Sequence, residues 1–212
     1  MAQFADARAR GIAVGLLLAG LALAVLSSRL VGVLDHDTSL GWSSQPPTTA
    51  DSVAGLTALG LRDYEAGDFA SADRDFRAAR DLDPGSARTL FNLGTARLGL
   101  GDPASARDLF RQATAIDPKF SEAQYNLGVA SWALGDEVSA ERAYRAAMAT
   151  DPESPDIAWN LGLLLSHRGP RAEAQALLHR AIAAKPVLLS RLPADVVLDE
   201  VPTSESPSTA QR

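Results

Sequence analysis

The 212-residue chain has no cysteine, only 3 histidines and 6% aromatic residues. The absence of cysteine excludes a disulfide framework, a thiol nucleophile and a cysteine-ligated zinc site. The histidines stand at none of the spacings that metal ligands use, and the sequence contains no nucleophile elbow, phosphate-binding loop or dinucleotide fingerprint. A formal net charge of −6 argues against a nucleic-acid partner. These absences predict a protein that is not an enzyme, holds no cofactor or metal, and takes no small-molecule substrate.

Near the N-terminus lies a segment that predicts a membrane anchor. The run from Gly11 to Ser28 carries no charge and no proline, and as a helix it would span roughly 27 Å, close to the roughly 30 Å hydrocarbon core of a bilayer. Because the side chain of Arg29 can extend to the interface, the predicted transmembrane helix covers residues 11–34. A cleaved signal peptide is the competing interpretation, but the apolar run is longer than such peptides use, which favours an uncleaved signal anchor.

The charges around this segment predict its orientation. Arg8 and Arg10 lie in a short N-terminal segment, residues 1–10, which the positive-inside rule places in the cytoplasm. The rest of the chain would then face the periplasm or the cell exterior of a bacterial inner membrane. Residues 35–51 are rich in Ser, Thr and Pro and are predicted to form a linker.

Six columns of the sequence recur every 34 residues over four consecutive segments without an insertion, which indicates a repeat protein. Each segment has a Leu-Gly pair, a second Gly, an Ala, a large residue, a second Ala and a Pro. In the first segment these are Leu59-Gly60, Gly67, Ala72, Phe76, Ala79 and Pro84.

The physical chemistry of one segment predicts two antiparallel helices. Apolar residues have helical spacing in Val53–Ala66 and again in Phe69–Leu82. Gly67 can adopt the left-handed conformation that ends the first helix, and a residue before Pro is disfavoured in the α conformation, which ends the second. Residues 52–186 are therefore predicted to form four units, followed by a short cap over 187–199 and a disordered tail over 200–212. The units cover residues 53–86, 87–120, 121–154 and 155–188.

This pattern resembles the tetratricopeptide repeat (TPR) family. The resemblance implies an all-α fold, an α-solenoid of four tandem helix-turn-helix units in a right-handed superhelix, here preceded by one transmembrane helix. It also implies a concave groove that is lined by the first helix of each unit. Two family columns differ, since Leu56 stands where an early Trp is common and Asp63 stands where a Tyr is expected.

The resemblance further implies which residues would bind a partner. Asn92, Asn126 and Asn160 form one column that would face the groove. An amide offers both a donor and an acceptor, so it can bind the backbone of an extended peptide. The alternative is that these Asn side chains bridge neighbouring helices inside the array.

Large side chains and charges accompany this Asn column. Phe91, Tyr125 and Trp159 each precede an Asn, and they would either contact a partner or pack against the next unit. Three charged residues, one basic and two acidic, would flank the groove: Arg88, Glu122 and Asp156. The eight predicted partner-binding residues are Arg88, Phe91, Asn92, Glu122, Tyr125, Asn126, Trp159 and Asn160.

Together these features predict a membrane-tethered scaffold or adaptor. It would hold an extended protein or peptide segment in its concave groove and help to assemble a membrane or envelope complex. The alternative is a structural accessory subunit that packs into an integral membrane complex through its transmembrane helix, with the repeats as a spacer or dimer surface.

Overall fold

Eight short α-helices make up most of residues 52–199, the part of the chain that the computed structural model describes. No strand occurs in that range. The predicted anchor, linker and tail (residues 1–51 and 200–212) lie outside it. None of the described helices has the length and apolar character that crossing a membrane requires. The helices are α1 Val53–Glu65, α2 Phe69–Leu82, α3 Ala87–Gly99, α4 Pro103–Ile116, α5 Ser121–Ala133, α6 Glu137–Thr150, α7 Pro155–Arg168 and α8 Arg171–Ala184, followed by a 3₁₀ helix, Pro186–Arg191.

Local sequence signals explain where the helices begin and end. Gly67, Gly101 and Gly135 follow first helices with φ of +80°, +75° and +77°, the left-handed conformation that favours glycine. In the first three units the residue after this glycine is an Asp whose carboxylate accepts a hydrogen bond from a backbone N–H three residues on, as an N-cap should. These caps are Asp68, Asp102 and Asp136.

Within each unit the two helices approach closely because one of them carries a glycine. A Cβ atom added at Gly60 would lie 2.6 Å from the Phe76 ring, and one added at Gly94 would lie 2.7 Å from the Phe110 ring. Phe76 and Phe110 are 1% and 0% exposed. The large residue of each unit therefore fills the space that the glycine leaves, and this contact secures the helix pair. The same contact joins Gly128 to Tyr144 and Gly162 to Leu178.

Units stack because each second helix also packs against the first helix of the next unit. This contact joins α2 to α3, α4 to α5 and α6 to α7. First helices also contact each other, α1 with α3 and α3 with α5, more extensively than successive second helices do. These contacts agree with the expected position of the first helices on the inner, concave side of the array. The predicted all-α solenoid of helix pairs is confirmed.

Candidate peptide-binding groove

The concave side presents one longitudinal face of each first helix, on which residues i, i+4 and i+7 are neighbours. We call the residues on this face the inner stripe. Its large members are apolar or aromatic, and they include the three predicted aromatic residues. The inner stripe consists of Thr57, Leu61 and Tyr64 on α1, Phe91, Thr95 and Leu98 on α3, Tyr125, Val129 and Trp132 on α5, and Trp159, Leu163 and Ser166 on α7.

The Asn column lies between units and not on the accessible surface of the groove. Asn92, Asn126 and Asn160 are 6%, 2% and 2% exposed. The Nδ2 atom of Asn160 donates a hydrogen bond to the hydroxyl of Tyr125 in the preceding unit, over 2.5 Å. The first unit, before which no unit is described, has an exposed Ala58 at this position. For Asn160 the structure therefore shows the bridging alternative, and gripping of a peptide backbone by these amides stays a prediction.

The buried side chain of Asn126 has an unsatisfied polar atom, whereas that of Asn160 donates a hydrogen bond. Its Oδ1 atom is inaccessible and accepts no hydrogen bond from the described residues. The position that corresponds to Tyr125 in the preceding unit holds Phe91, and Phe91 has no hydroxyl group. The second and third units therefore meet without the side-chain hydrogen bond that joins the third and fourth.

The predicted aromatic residues pack inside the array to different extents. The Phe91 ring lies 5.8 Å from that of Phe110 and 4.9 Å from that of Phe120, and the Tyr125 ring lies 5.8 Å from that of Tyr144. Trp159 is only 8% exposed. Packing thus accounts for most of the surface of these side chains, although Phe91 and Tyr125 remain half-buried.

The Tyr125 hydroxyl is buried beside the polar side chains of Asn160 and Asp156. Burial raises the pKa of Tyr125 strongly, and the nearby Asp156 carboxylate raises it further, while the hydrogen bond from Asn160 acts in the opposite direction. Tyr125 therefore stays neutral at physiological pH. Asp156 itself is neutralised by Lys185, whose Nζ lies 2.9 and 2.8 Å from the two carboxylate oxygens.

Two of the three predicted flanking charges, Arg88 and Glu122, are exposed on the first turns of their helices, whereas Asp156 is half-buried. Arg88 lies on α3 with its guanidinium 4.8 Å from the centre of the Phe120 ring, a cation–π contact typically worth about 0.5–1 kcal/mol at an exposed site. Glu122 lies on α5 and is exposed. Arg88 and Glu122 therefore place opposite charges on successive units.

Sequence reasoning missed most of the accessible part of the groove. Leu61, Tyr64 and Trp132 belong to the inner stripe and are half-buried, so part of each side chain is open to a partner. The i, i+4, i+7 spacing from each predicted aromatic residue could have found them. Val129 and Leu163, on the same stripe, are 4% and 6% exposed and are essentially closed.

The helix hairpins, their common 34-residue register and the inner stripe define an α-solenoid of the kind that offers binding surface. The tetratricopeptide repeat profile matches residues 57–119 and 91–155. Over these residues the chain is similar to the tetratricopeptide repeat family.

Several solved structures are similar to this chain. The crystal structure of MamA protein is 25% identical, with a TM-score of 0.60, and the match covers 67% of this chain and 78% of that one. A thermophilic TPR protein of Thermus thermophilus, TTC0263, is 22% identical, with a TM-score of 0.57 and coverage of 66% and 82%. The first TPR of Spaghetti (RPAP3), bound to an HSP90 peptide, is 20% identical, with a TM-score of 0.53 and coverage of 55% and 92%. No curated protein matches the chain in sequence.

Proposed function

We propose that the protein is a membrane-tethered, non-enzymatic adaptor that binds an extended segment of a partner protein in its concave groove. The observation that carries this proposal is the inner stripe, which leaves Leu61, Tyr64, Phe91, Tyr125 and Trp132 half-buried on successive first helices. Partly accessible aromatic side chains on a rigid support suit binding, because they bury much area at little entropic cost. The Spaghetti domain, which shares the fold, binds a peptide.

Apolar side chains of the partner would contact the inner stripe, and its polar groups would contact the edge of the groove. Arg88 and Glu122 offer one positive and one negative charge there, so a partner segment with a complementary pair would bind in one direction. Asn160 contributes by joining the third and fourth units through its hydrogen bond to Tyr125. In the proposal Asn126 and Asn160 reach a peptide backbone only after rearrangement, since both are 2% exposed.

The membrane tether and the role in complex assembly rest on the sequence. The uncharged run from Gly11 to Ser28 is long enough to cross a bilayer, and it would hold the repeats near partners in or beside the membrane. A tether raises the effective concentration of a weak binding site, so a groove of modest affinity suffices.

A matched pair of substitutions tests the groove. Leu61→Asp places a carboxylate on the inner stripe, whereas Ala149→Asp places one at an exposed position on the second helix α6. With photoreactive residues at Tyr64 and, for comparison, at the exposed Arg111 on the second helix α4, we expect partner crosslinks from Tyr64 only. Leu61→Asp should abolish these crosslinks, and Ala149→Asp should preserve them. Equal crosslinking from both positions would refute groove binding.

Deletion of residues 1–34 separates the adaptor from the accessory-subunit alternative. A groove binder keeps its crosslinks from Tyr64 when the shortened chain is mixed with the partner in solution. A subunit that is held through its transmembrane helix loses the partner on deletion, both with Leu61 and in the Leu61→Asp variant.

A further inference from the structure

The last described residues cover the C-terminal end of the array without forming a ninth α-helix. The 3₁₀ helix Pro186–Arg191 leads into an irregular segment that ends at Asp199. We call residues 186–199 the C-terminal strap. Leu188 and Val196 are 4% and 7% exposed and join the apolar cluster of the last units. The strap therefore shields the surface that a further unit would otherwise cover.

Polar contacts attach the strap along one face of α8. The side chain of Gln175 donates to the carbonyl oxygen of Val197 over 2.6 Å and accepts from the backbone N–H of Asp199 over 3.0 Å. Arg171 forms an ion pair with the Asp199 carboxylate at 2.7 Å. His179 contacts the Asp199 carbonyl oxygen at 2.9 Å. Arg171, Gln175 and His179 follow one another at spacings of four residues and therefore share one side of the helix.

The same side of the earlier second helices contacts the first helix of the next unit. Asp73 on α2 is the counterpart of Gln175 three repeats earlier, and it forms an ion pair with Arg97 on α3, 24 residues later in the chain. Gln175 contacts Asp199, also 24 residues later. The strap thus follows the path that the first helix of a fifth unit would take, in the register of the repeats.

The strap buries fewer residues against α8 than the first helix of a fifth unit would. Pro193 lacks an N–H and prevents a continuous helix, and only Leu188 and Val196 of residues 186–199 are buried. Val187 and Leu189 on the strap are 59% and 57% exposed. By comparison α7, a complete first helix of equal length, has nine buried residues, part of them against its own partner α8.

We propose that the outer face of α8 is a docking site for an amphipathic helix of a partner protein, which stacks like the first helix of a fifth unit and displaces the C-terminal strap. This site is separate from the groove. The interface between units supplies the argument for a helix as the occupant, because the equivalent faces of α2, α4 and α6 each accept one. The incoming helix presents apolar residues to α8, since Ala96, Ala130 and Leu164 are 0%, 0% and 1% exposed at the corresponding point of α3, α5 and α7.

The test uses the full chain and a labelled synthetic peptide that contains residues 154–169 of this sequence. That peptide corresponds to α7 with its N-cap, a helix that already packs against the preceding pair. Val196→Asp puts a carboxylate into the buried contact of the strap, which is strongly unfavourable without a partner. Val197→Asp is the matched control, because Val197 is the next residue in the chain and is 67% exposed. A peptide with Leu161 and Leu164 both replaced by Asp controls for the apolar face of the probe.

We expect the peptide to bind the Val196→Asp protein about tenfold more tightly than the wild-type or Val197→Asp protein, because the apparent affinity rises with the fraction of open sites. Amide exchange at Asp199 should become faster in Val196→Asp, with the α8 amides still protected. Leu188→Asp provides a second release of the strap. If either variant frees the strap while peptide affinity stays unchanged, the proposal is wrong. The proposal is also wrong if the α8 amides exchange rapidly in both variants, because the strap is then needed to keep the last unit folded.

Discussion

The contact between Tyr125 and Asn160 provides the sharpest test of how the Asn column works. Asn160→Ala removes the donor of the 2.5 Å hydrogen bond, and Tyr125→Phe removes its acceptor while keeping the ring. Asn160 is 2% exposed, so loss of the acceptor leaves a buried N–H group unsatisfied, at a cost of about 1–3 kcal/mol. A well-satisfied neutral hydrogen bond itself contributes about 0.5–1.5 kcal/mol net.

The two changes should therefore be non-additive. We expect each single variant to lower the free energy of unfolding by about 1–2 kcal/mol, and the double variant to lower it by about 1 kcal/mol less than the sum. Denaturant unfolding followed by helical circular dichroism measures the three differences. For a domain of this size each kcal/mol corresponds to roughly 2–4 °C in melting temperature.

A control pair is available one unit earlier. Asn126 and Phe91 stand at the corresponding positions, but no hydroxyl is present and the Oδ1 atom of Asn126 accepts no hydrogen bond from the described residues. Asn126→Ala combined with Phe91→Leu should be less strongly coupled than the Tyr125–Asn160 pair, because no side-chain hydrogen bond joins the two residues. Equal coupling in the two pairs would refute the bridging role, and it would leave the amide of Asn160 available for a peptide backbone.

Two further predictions concern the helix pairs. Gly94→Ala should destabilise the protein by about 1–3 kcal/mol, because the new Cβ atom would lie 2.7 Å from the Phe110 ring. Gly85→Ala is the control. Its Cβ atom would lie 3.8 Å from the nearest atom, so the melting temperature should change little. Hydrogen bonds from Ser139 lower the pKa of Asp136, with the larger contribution from the backbone N–H and the smaller from the side chain. The ionised Asp136 cap therefore stabilises the fold above the unfolded-state pKa of this carboxyl, and the stabilisation is lost as the pH falls through its folded-state pKa. In Asp136→Asn the melting temperature should accordingly fall less between pH 5 and pH 2, roughly the window in which such carboxylates titrate.

The sequence predicts the fold much better than it predicts the site. Six columns in a 34-residue register determine the pairing of helices, because glycine and the large residue that covers it recur at the same spacing in every unit. The side-chain contacts of the groove do not recur in this way. Tyr125 and Asn160 are 35 residues apart, and the corresponding pair one unit earlier is Phe91 and Asn126, which cannot form the same bond. A column of identical residues therefore does not establish identical roles, and the resemblance could imply a groove without showing which of its side chains are accessible.

The two ends of the array differ in a way that bears on how it can be extended. One column of the first helices is buried against the preceding unit, with Ala96, Ala130 and Leu164 at 0%, 0% and 1% exposure. In the first unit this column holds Arg62, whose side chain is 69% exposed and pairs with Asp63. A helix stacked on that end would bury the Arg62 guanidinium without a new partner, which is costly. At the other end the contacts to the strap come from Gln175, a neutral side chain, and from Arg171 and His179. The Arg171 side chain is 70% exposed, so a helix docked on α8 as proposed can leave its charge in water, whereas a helix on α1 buries that of Arg62. We therefore expect any growth of this solenoid by a partner to proceed from its C-terminal end.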